Sequence, residues 1–323
     1  MIIFYQVCFL LSGKLLNNYY FREEGENKYM KDIIKDIKGI ESPELKDFTN
    51  IDIYPTIDVP DSLTDLFLLD TIDEEYRNKH FDYYDFKGIG VPRATHILNQ
   101  CVNKDFLIAW AAKLGRQKYF FEKNKATTIG SRTHELIEEF LSTGNFAQNI
   151  FYKIPPSMKK NVSIAFDNFK EWMNDLANNG YFISDIIAME KQITCPYFGG
   201  TIDCICKING ITYIVDFKTS KQISPEYLLQ VCAYMWICNS GYVENCPHID
   251  GVGIIRVDKE TKHKYEDMFL NYNIPWQADI INKYITDFGI LVQSYYTILS
   301  MEKEFPSIKK SVKNTYDVLK GKE

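Results

Sequence analysis

Hydrophobic and polar positions along the chain follow two periods, which divide it into helices and strands. After residue 90, some stretches repeat apolar residues every three or four positions, whereas others are β-branched and aromatic runs typical of strands. The pattern predicts helices at 103–123, 130–142, 157–178, 224–238 and 276–300, and strands at 182–194, 201–208, 211–218, 250–257 and 263–271. This order predicts an α/β fold with a central mixed β-sheet flanked by helices.

Local signals set several helix boundaries. Ser224 is a predicted N-cap, and Pro225 suits the first helical position. The helix at 157–178 is expected to end at Asn178-Asn179-Gly180, where a left-handed residue is easily accommodated. Gly130-Ser131 is the expected start of the helix at 130–142.

The N-terminal part of the chain differs from the rest. Residues 1–11 are apolar without a basic flank or a cleavage site, which predicts a first strand rather than a secretory signal. Residues 41–90 carry 13 Asp or Glu against 4 Lys or Arg, a formal charge of −9, with several proline-containing turn signals. We therefore expect an acidic appendage at 1–88 and a main domain at 89–323. The acidic segment is either a guard, a DNA mimic over the cleft, or a docking surface for a protein partner.

Composition indicates a globular protein and at first argues against nucleic acid. Apolar residues make up 46% of the chain and aromatic residues 15%, and no uninterrupted apolar stretch is long enough to span a membrane. The net charge of −6 excludes binding through bulk positive charge. The acidic segment accounts for this excess, and the remaining residues sum to about +3. The eight cysteines form no C-x-x-C pair, as is typical of free thiols in a reducing compartment.

A predicted hairpin brings two aspartates together. Asn209-Gly210 between two β-rich runs is typical of a two-residue type I′ turn, which pairs Ile208 with Ile211. The same register places Asp203 directly opposite Asp216, with Cβ atoms roughly 4.5–5.5 Å apart. Lys218 emerges on the face of Asp216, with Thr201 as its expected partner across the strands.

Two acids directly opposite each other repel, so something must offset their charges. Mg²⁺ does so when it binds one or two carboxylates together with phosphate. Lys218 would then orient water or stabilise charge on phosphoryl oxygens. The alternative is two solvated acids with Lys218 as their counter-ion. Apolar residues on the opposite strand face favour the metal site.

These residues resemble the PD-(D/E)xK nuclease superfamily, in particular its RecB-like exonuclease branch. The matching motifs are the Gly-rich strand Gly199–Asp203, Asp216-Phe217-Lys218, Gly130-x-x-x-His134, Gln230-x-x-x-Tyr234 and the segment Val91–Leu98. The branch includes CRISPR adaptation nucleases, the mitochondrial genome maintenance exonuclease and phage exonucleases. The resemblance covers roughly residues 90–300.

The resemblance implies a restriction-endonuclease-like core and a metal-dependent DNA exonuclease acting in recombination, repair or replication. It implies one or two Mg²⁺ or Mn²⁺ ions held by His134, Asp203, Asp216 and the carbonyl of Phe217, with Lys218 positioning the attacking water. Residues expected to support the site or contact DNA are Glu190, Thr219, Gln230 and Tyr234, and Glu190 is equally compatible with simple exposure. Some relatives hold an iron–sulfur cluster, but Cys232, Cys238 and Cys246 are too widely spaced, so we expect none.

The expected partner is DNA, either single-stranded or with a free end. Within 113–125, five cations including Arg116 and Lys118 stand against Glu122, with Tyr119, Phe120 and Phe121 between them. This stretch is either a grip for a single strand or a solvated basic helix face. The other functions considered are an endonuclease of the same superfamily and a catalytically silent binding module. The expected location is the cytoplasm of a bacterial or phage-infected cell rather than an organellar matrix.

Overall fold

The computed structural model describes Arg77, Asn78, Phe81 and residues 84–102 and 105–319, with side chains except at 105, 106 and 307–319. The chain divides after Pro55 into two compact units, and every described residue belongs to the second, Thr56–Glu323. The predicted strand at 1–11 and most of the acidic segment lie outside the described residues. The fold below is therefore that of the second unit.

The described elements alternate between helices and strands, as the two hydrophobic periods predict. The helices are α1 (Ala94–Cys101), α2 (Asp105–Leu114), α3 (Arg116–Thr143), α4 (Gln148–Tyr152), α5 (Pro156–Asn178), α6 (Pro225–Asn239) and α7 (Pro275–Leu319). The strands are β1 (Tyr84–Phe86), β2 (Ile89–Val91), β3 (Ile183–Thr194), β4 (Gly199–Ile208), β5 (Ile211–Lys218), β6 (Gly251–Val257) and β7 (Tyr265–Asn271).

A five-stranded mixed sheet forms the centre, in the order β3-β4-β5-β6-β7. Its neighbouring strands are antiparallel except β5 and β6, which are parallel and are connected through α6. β1 and β2 form a separate antiparallel pair, which spans the boundary expected between residues 88 and 89. The predicted mixed sheet with flanking helices is confirmed.

Side chains on opposite faces of the sheet enter two different hydrophobic clusters. Ile214 and Ile254 pack with residues of α6 and α7, whereas their neighbours Val215 and Ile255 pack with residues of α3 and α5. Consecutive strand residues point to opposite faces, so both faces of β5 and β6 are covered by helices. The carboxyl end of β5 lies in the middle of this sheet, between helices on either side.

The helical region before the sheet differs from the prediction at two points. The predicted helix at 103–123 is broken at Gly115, whose φ of 75° is left-handed, a conformation that glycine adopts readily. No break separates 123 from 130, because α3 runs continuously from Arg116 to Thr143. Gly130 therefore lies inside a helix, and a Cβ there would lie 3.4 Å from Thr219 Oγ1. The prediction of a helix start at Gly130 is wrong, because the helix begins at Arg116 and continues through this glycine.

The later boundaries agree more closely with the prediction. Ser224 is the N-cap of α6, where its hydroxyl accepts a hydrogen bond from the Glu226 N–H, and Pro225 is the first helical residue. The final helix is longer than predicted, since it continues past residue 300 and through Pro306. The short helix α4 was not predicted. Among the described residues, no helix combines the length and apolar composition needed to cross a bilayer.

Candidate metal centre

The β4–β5 hairpin has the predicted turn and register. Asn209 and Gly210 have φ angles of 49° and 83°, as a type I′ turn requires. Ile208 pairs with Ile211, and the register continues to Cys204 and Val215. The turn thus fixes which residues of the two strands approach each other at the far end of the hairpin.

The pairing stops one residue short of the two aspartates. Beyond Cys204 and Val215, β4 continues to pair with β3, whereas β5 pairs with β6. Asp203 Oδ2 accepts a hydrogen bond of 2.8 Å from the Phe217 N–H. The predicted ladder partnership of Thr201 with Lys218 is therefore not formed, and the Thr201 hydroxyl lies 2.8 Å from that of Tyr84. The strands part at this point, which leaves space between the aspartates.

Asp216 is the buried carboxylate of the site. Its side chain is 4% exposed, and Oδ2 lies 2.5 Å from Lys218 Nζ. Gln230 Nε2 donates to Oδ1 at 3.4 Å, while Oδ2 has no hydrogen bond of acceptable geometry. Burial raises the pKa of Asp216 to about 6, although the Lys218 ammonium opposes this shift. Of the two oxygens of this buried carboxylate, Oδ2 is thus paired with the Lys218 ammonium and Oδ1 with the Gln230 amide.

Lys218 shares this face with Asp216, as predicted. Its ammonium also lies over the Tyr227 ring, 5.0 Å from the centroid. Burial lowers the pKa of Lys218, but the negative charges of Asp216 and Asp203 outweigh this effect and raise the pKa. Lys218 therefore remains a cation at neutral pH.

His134 and Asp203 meet at the more open side of the site. α3 places His134 Nδ1 3.4 Å from Asp203 Oδ2, and the imidazole meets the buried Phe217 ring edge to face. The His134 side chain is 26% exposed and that of Asp203 is 14% exposed. The two groups are held in place while solvent still reaches them.

Glu190 joins this open side. It has a left-handed φ of 46° and lies between the paired residues Met189 and Lys191 of β3. One ligand atom from each of Glu190, Asp203 and His134 lies within 4.8 Å of the others. Burial raises the pKa of Glu190, and Asp203 and Glu138 raise it further. Of the two interpretations the sequence leaves open for Glu190, its position favours a role in the site.

Gln230 and Tyr234 lie beneath the aspartates. Gln230 is 8% exposed and Tyr234 is 3% exposed, and Gln230 Nε2 lies 3.2 Å from the Tyr234 hydroxyl. The Tyr234 ring occupies the space beside Gly200, where a Cβ would lie 2.2 Å from the ring. The glycine of the Gly-rich strand thus admits the ring, and this burial favours support of Asp216 over contact with DNA.

The remaining candidate residues are farther from the carboxylates or contribute through the backbone. Phe217 is buried in the cluster against α3 and α5. Thr219 is nearly buried and faces Gly130. Arg116 and Lys118 are exposed at the start of α3, about 25 Å along the helix from His134 at 1.5 Å per residue. The structure therefore does not bring these two cations to the metal-binding side chains.

Arg256 was missed by sequence analysis. It is fully buried on β6, pairs in register with Lys218, and donates to the Ser220 carbonyl at 3.2 Å. Its guanidinium lies 3.2 Å from Asp258 and 3.0 Å from Glu266. Its signal in the sequence is a single charge within the apolar run Gly251–Val257. Arg256 anchors the loop that follows Lys218.

The donor set fits a hard divalent cation. Carboxylate oxygens with one imidazole suit Mg²⁺ or Mn²⁺, and their convergence would otherwise be repulsive. Asp216 adds a further carboxylate beside this set, and its Oδ2 is already paired with the Lys218 ammonium. Asp203 accepts a hydrogen bond from the N–H of Phe217, the neighbour of Asp216, and lies beside His134 and Glu190.

Comparisons with known proteins add little. No protein-family model matches the sequence, and no curated protein matches it. A solved structure described as "Crystal structure of SSO0001" aligns with 52% of this chain and 74% of its own, at 11% identity and a TM-score of 0.22. A superposition this loose carries no argument about fold or activity, so the chemistry of the site must be inferred from its own residues.

Proposed function

We propose that the protein is a metal-dependent DNA exonuclease with a restriction-endonuclease-like core of the PD-(D/E)xK type. One observation carries the proposal: the buried Asp216–Lys218 ion pair lies where β4 and β5 part, beside Asp203. An ion pair that only stabilises the fold needs no further acid or imidazole beside it, yet Asp203 and His134 both lie at this site. Phosphodiester hydrolysis uses such a combination of acids and one cation.

His134, Asp203 and Asp216 are the proposed ligands, with the Phe217 carbonyl and Glu190 completing the set. A bound Mg²⁺ or Mn²⁺ ion would act as a Lewis acid toward the phosphate and lower the pKa of water. The Phe217 N–H holds Asp203 in place, and Gln230 holds Oδ1 of Asp216. The protein thereby fixes the carboxylates before substrate binds.

Lys218 has the central role among the chain's own cations. Since Asp216 and Asp203 keep it protonated, its ammonium can donate to a water oxygen or to a phosphoryl oxygen. Negative charge increases on the phosphoryl oxygens as the bond breaks, and a fixed ammonium stabilises that charge. The Tyr227 ring and Asp216 hold the ammonium in position.

We place this activity in DNA recombination, repair or replication, in the cytoplasm of a bacterial or phage-infected cell. The test uses linear single and double strands, labelled at the 5′ or 3′ end, and covalently closed circles, each with Mg²⁺ or Mn²⁺. The expected result is stepwise release of nucleotides from linear DNA and none from circles. Asp216→Asn protein, purified identically, controls for contaminating nucleases.

Two other results would replace the proposal. Cleavage of closed circles would identify an endonuclease with the same chemistry. Failure to release nucleotides from any DNA, with either metal, would leave a catalytically silent binding module.

A further inference from the structure

The first part of α3 and the preceding α2 carry exposed aromatic and aliphatic side chains. Phe121 is 64% exposed, Phe120 48% and Ile108 69%. Trp110 meets Tyr119 edge to face at 5.3 Å, and Tyr119 meets Phe120 at 5.5 Å. We call residues 107–125 the aromatic–basic arm. Exposed apolar side chains that cluster in this way commonly mark an interaction surface.

None of residues 107–125 belongs to either hydrophobic cluster or packs against one. Residues 115–118, at the junction of α2 and α3, are all exposed. α2 packs against α3, and the ring contact between Trp110 and Tyr119 joins them. The exposed rings are therefore not an edge of either hydrophobic cluster.

Cations flank each exposed ring along the helix. Phe120 has Arg116 four residues before it and Lys123 three residues after it, on the same side of α3. Phe121 has Lys118 three residues before it and Lys125 four residues after it, on another side. Glu122 is the only acid among residues 113–125, against five cations. Each ring thus lies between two positive charges.

We propose that the aromatic–basic arm is a stacking platform for single-stranded nucleic acid. A single strand alternates phosphates with unpaired bases, and this surface alternates cations with ring faces. A duplex keeps its bases stacked inside, so it offers the phosphates alone. The inference deepens the proposed nuclease function, and rests on it only for what happens to the bound strand. The rings of Phe120 and Phe121 lie about 20 Å from His134 along α3, so the platform holds the strand away from the bond that is cut.

The distribution of charge favours a strand over an anionic membrane. A helix that lies in a membrane surface separates its apolar face from its basic face. In α3, by contrast, Phe120 and Phe121 lie on different sides, and each side has its own cations. This mixture would force ammonium groups into the apolar layer of a bilayer.

The test measures binding in EDTA, where hydrolysis cannot occur, so its outcome is separate from that of the nuclease assay. The probes are a fluorescein-labelled 20-nucleotide oligothymidylate, an abasic strand of the same length, and a duplex. Phe120→Ala combined with Phe121→Ala is expected to weaken oligothymidylate binding at least tenfold, with binding of the abasic strand unchanged. The matched control is Phe182→Ala, which removes a ring that is 58% exposed elsewhere.

The salt dependence of binding tests the role of the cations. Arg116→Gln combined with Lys118→Gln is expected to reduce the slope of log affinity against log salt by about 1.4, because each phosphate contact on a single strand contributes about 0.7. Unfolding midpoints of the variants should match the wild type, since the arm packs outside both clusters.

Three results would overturn the proposal. The first is unchanged oligothymidylate binding by the Phe120/Phe121 double variant. The second is an equal loss of binding for the abasic strand, which would show that the rings do not contact bases. The third is ring-dependent binding to phosphatidylserine vesicles without binding to strands, which would identify a membrane surface.

Discussion

The candidate centre has a buried half and an open half, which differ in how the protein holds its charges. We define the buried half as Asp216, Lys218, Gln230 and Tyr234, and the open half as His134, Glu190 and Asp203. Side-chain exposure is 4% at Asp216 but 26% at His134, and Glu190 is exposed. The halves meet at the point where β4 and β5 part.

The difference separates two requirements of one site. The buried half fixes a cation and a carboxylate in contact, which demands close packing against Gly200 and costs stability when the acid is ionised. The open half leaves ligand atoms accessible to solvent, as exchange of a metal ion and entry of a substrate require. Variants in the two halves should therefore fail in different ways.

The largest expected effect is on catalysis in the buried half. Lys218→Ala should lower the rate of phosphodiester cleavage about 1,000-fold or more at saturating metal, since a positioned cation contributes by proton transfer and charge stabilisation. DNA binding should be retained. Single-turnover cleavage of an end-labelled strand measures the rate, with Lys207→Ala at the opposite end of the hairpin as control. Near-normal cleavage would remove Lys218 from the chemistry.

The next effect is on packing beneath the buried half. Gly200→Ala places a Cβ against the Tyr234 ring, and overpacking of this kind should lower the free energy of unfolding by about 2 kcal/mol. Urea denaturation measures this change. Gly130→Ala is the matched control, because its Cβ would meet only Thr219 Oγ1 at 3.4 Å and alanine favours the helix. Equal stability of the two variants would show that the Tyr234 ring can move to make room for the added Cβ at little cost in free energy.

The third prediction concerns pH and the buried acid. The pKa of Asp216 is raised to about 6 in the folded protein, so folding favours the protonated carboxyl group. The stability that this group contributes to the fold is present in full below pH 4 and is lost as pH rises through 6. In EDTA, the stability of the wild type relative to Asp216→Asn should fall by about 2–3 kcal/mol between pH 4 and pH 7. Denaturant unfolding across this range measures the difference. A difference that rises with pH would mean that Lys218 dominates the pKa of Asp216.

A bound metal ion should raise the stability of the wild type relative to that of Asp216→Asn at neutral pH. Mn²⁺ at neutral pH should stabilise the wild type but not Asp216→Asn, because ligand binding to the folded state adds to stability by mass action. Equal stabilisation of both proteins would place the ion elsewhere.

The smallest expected effect is on the backbone of the open half. At the left-handed φ of Glu190, Glu190→Gly should be more stable than Glu190→Ala by about 1 kcal/mol, the reverse of the usual order in a strand. Thermal unfolding measures both variants. The same two substitutions at the exposed strand residue Gln192 provide the control, and there alanine should be the more stable. Both Glu190 variants should also bind Mn²⁺ more weakly than the wild type.

Features that depend on neighbours in the chain were predictable. The turn at Asn209-Gly210 fixed the register to Cys204 and Val215, and the cap at Ser224 fixed the start of α6. Both depend on backbone preferences over two or three residues. The mixed sheet could be predicted from the order of helical and strand patterns along the chain, because each element must bury its apolar face against a neighbour.

Features that depend on distant residues were not predictable in this way. Gly130 predicts a helix start, yet it lies inside α3, which runs continuously from Arg116 to Thr143. The ladder was expected to continue to Lys218, yet β5 stops pairing with β4 after Val215 while its pairing with β6 on the other edge continues. Arg256 looks like an isolated charge until Asp258, Glu266 and the Ser220 carbonyl surround it.

By itself, the sequence determined the element order, the hairpin register and the side of β5 on which Asp216 and Lys218 lie, because these depend on local periodicity and turn geometry. Only the tertiary structure decided that the strands part at the aspartates and that Glu190 turns toward His134. It also decided that Tyr234 fills the space beside Gly200. The physical reason is that burial, repulsion between acids and close packing depend on residues far apart in the chain.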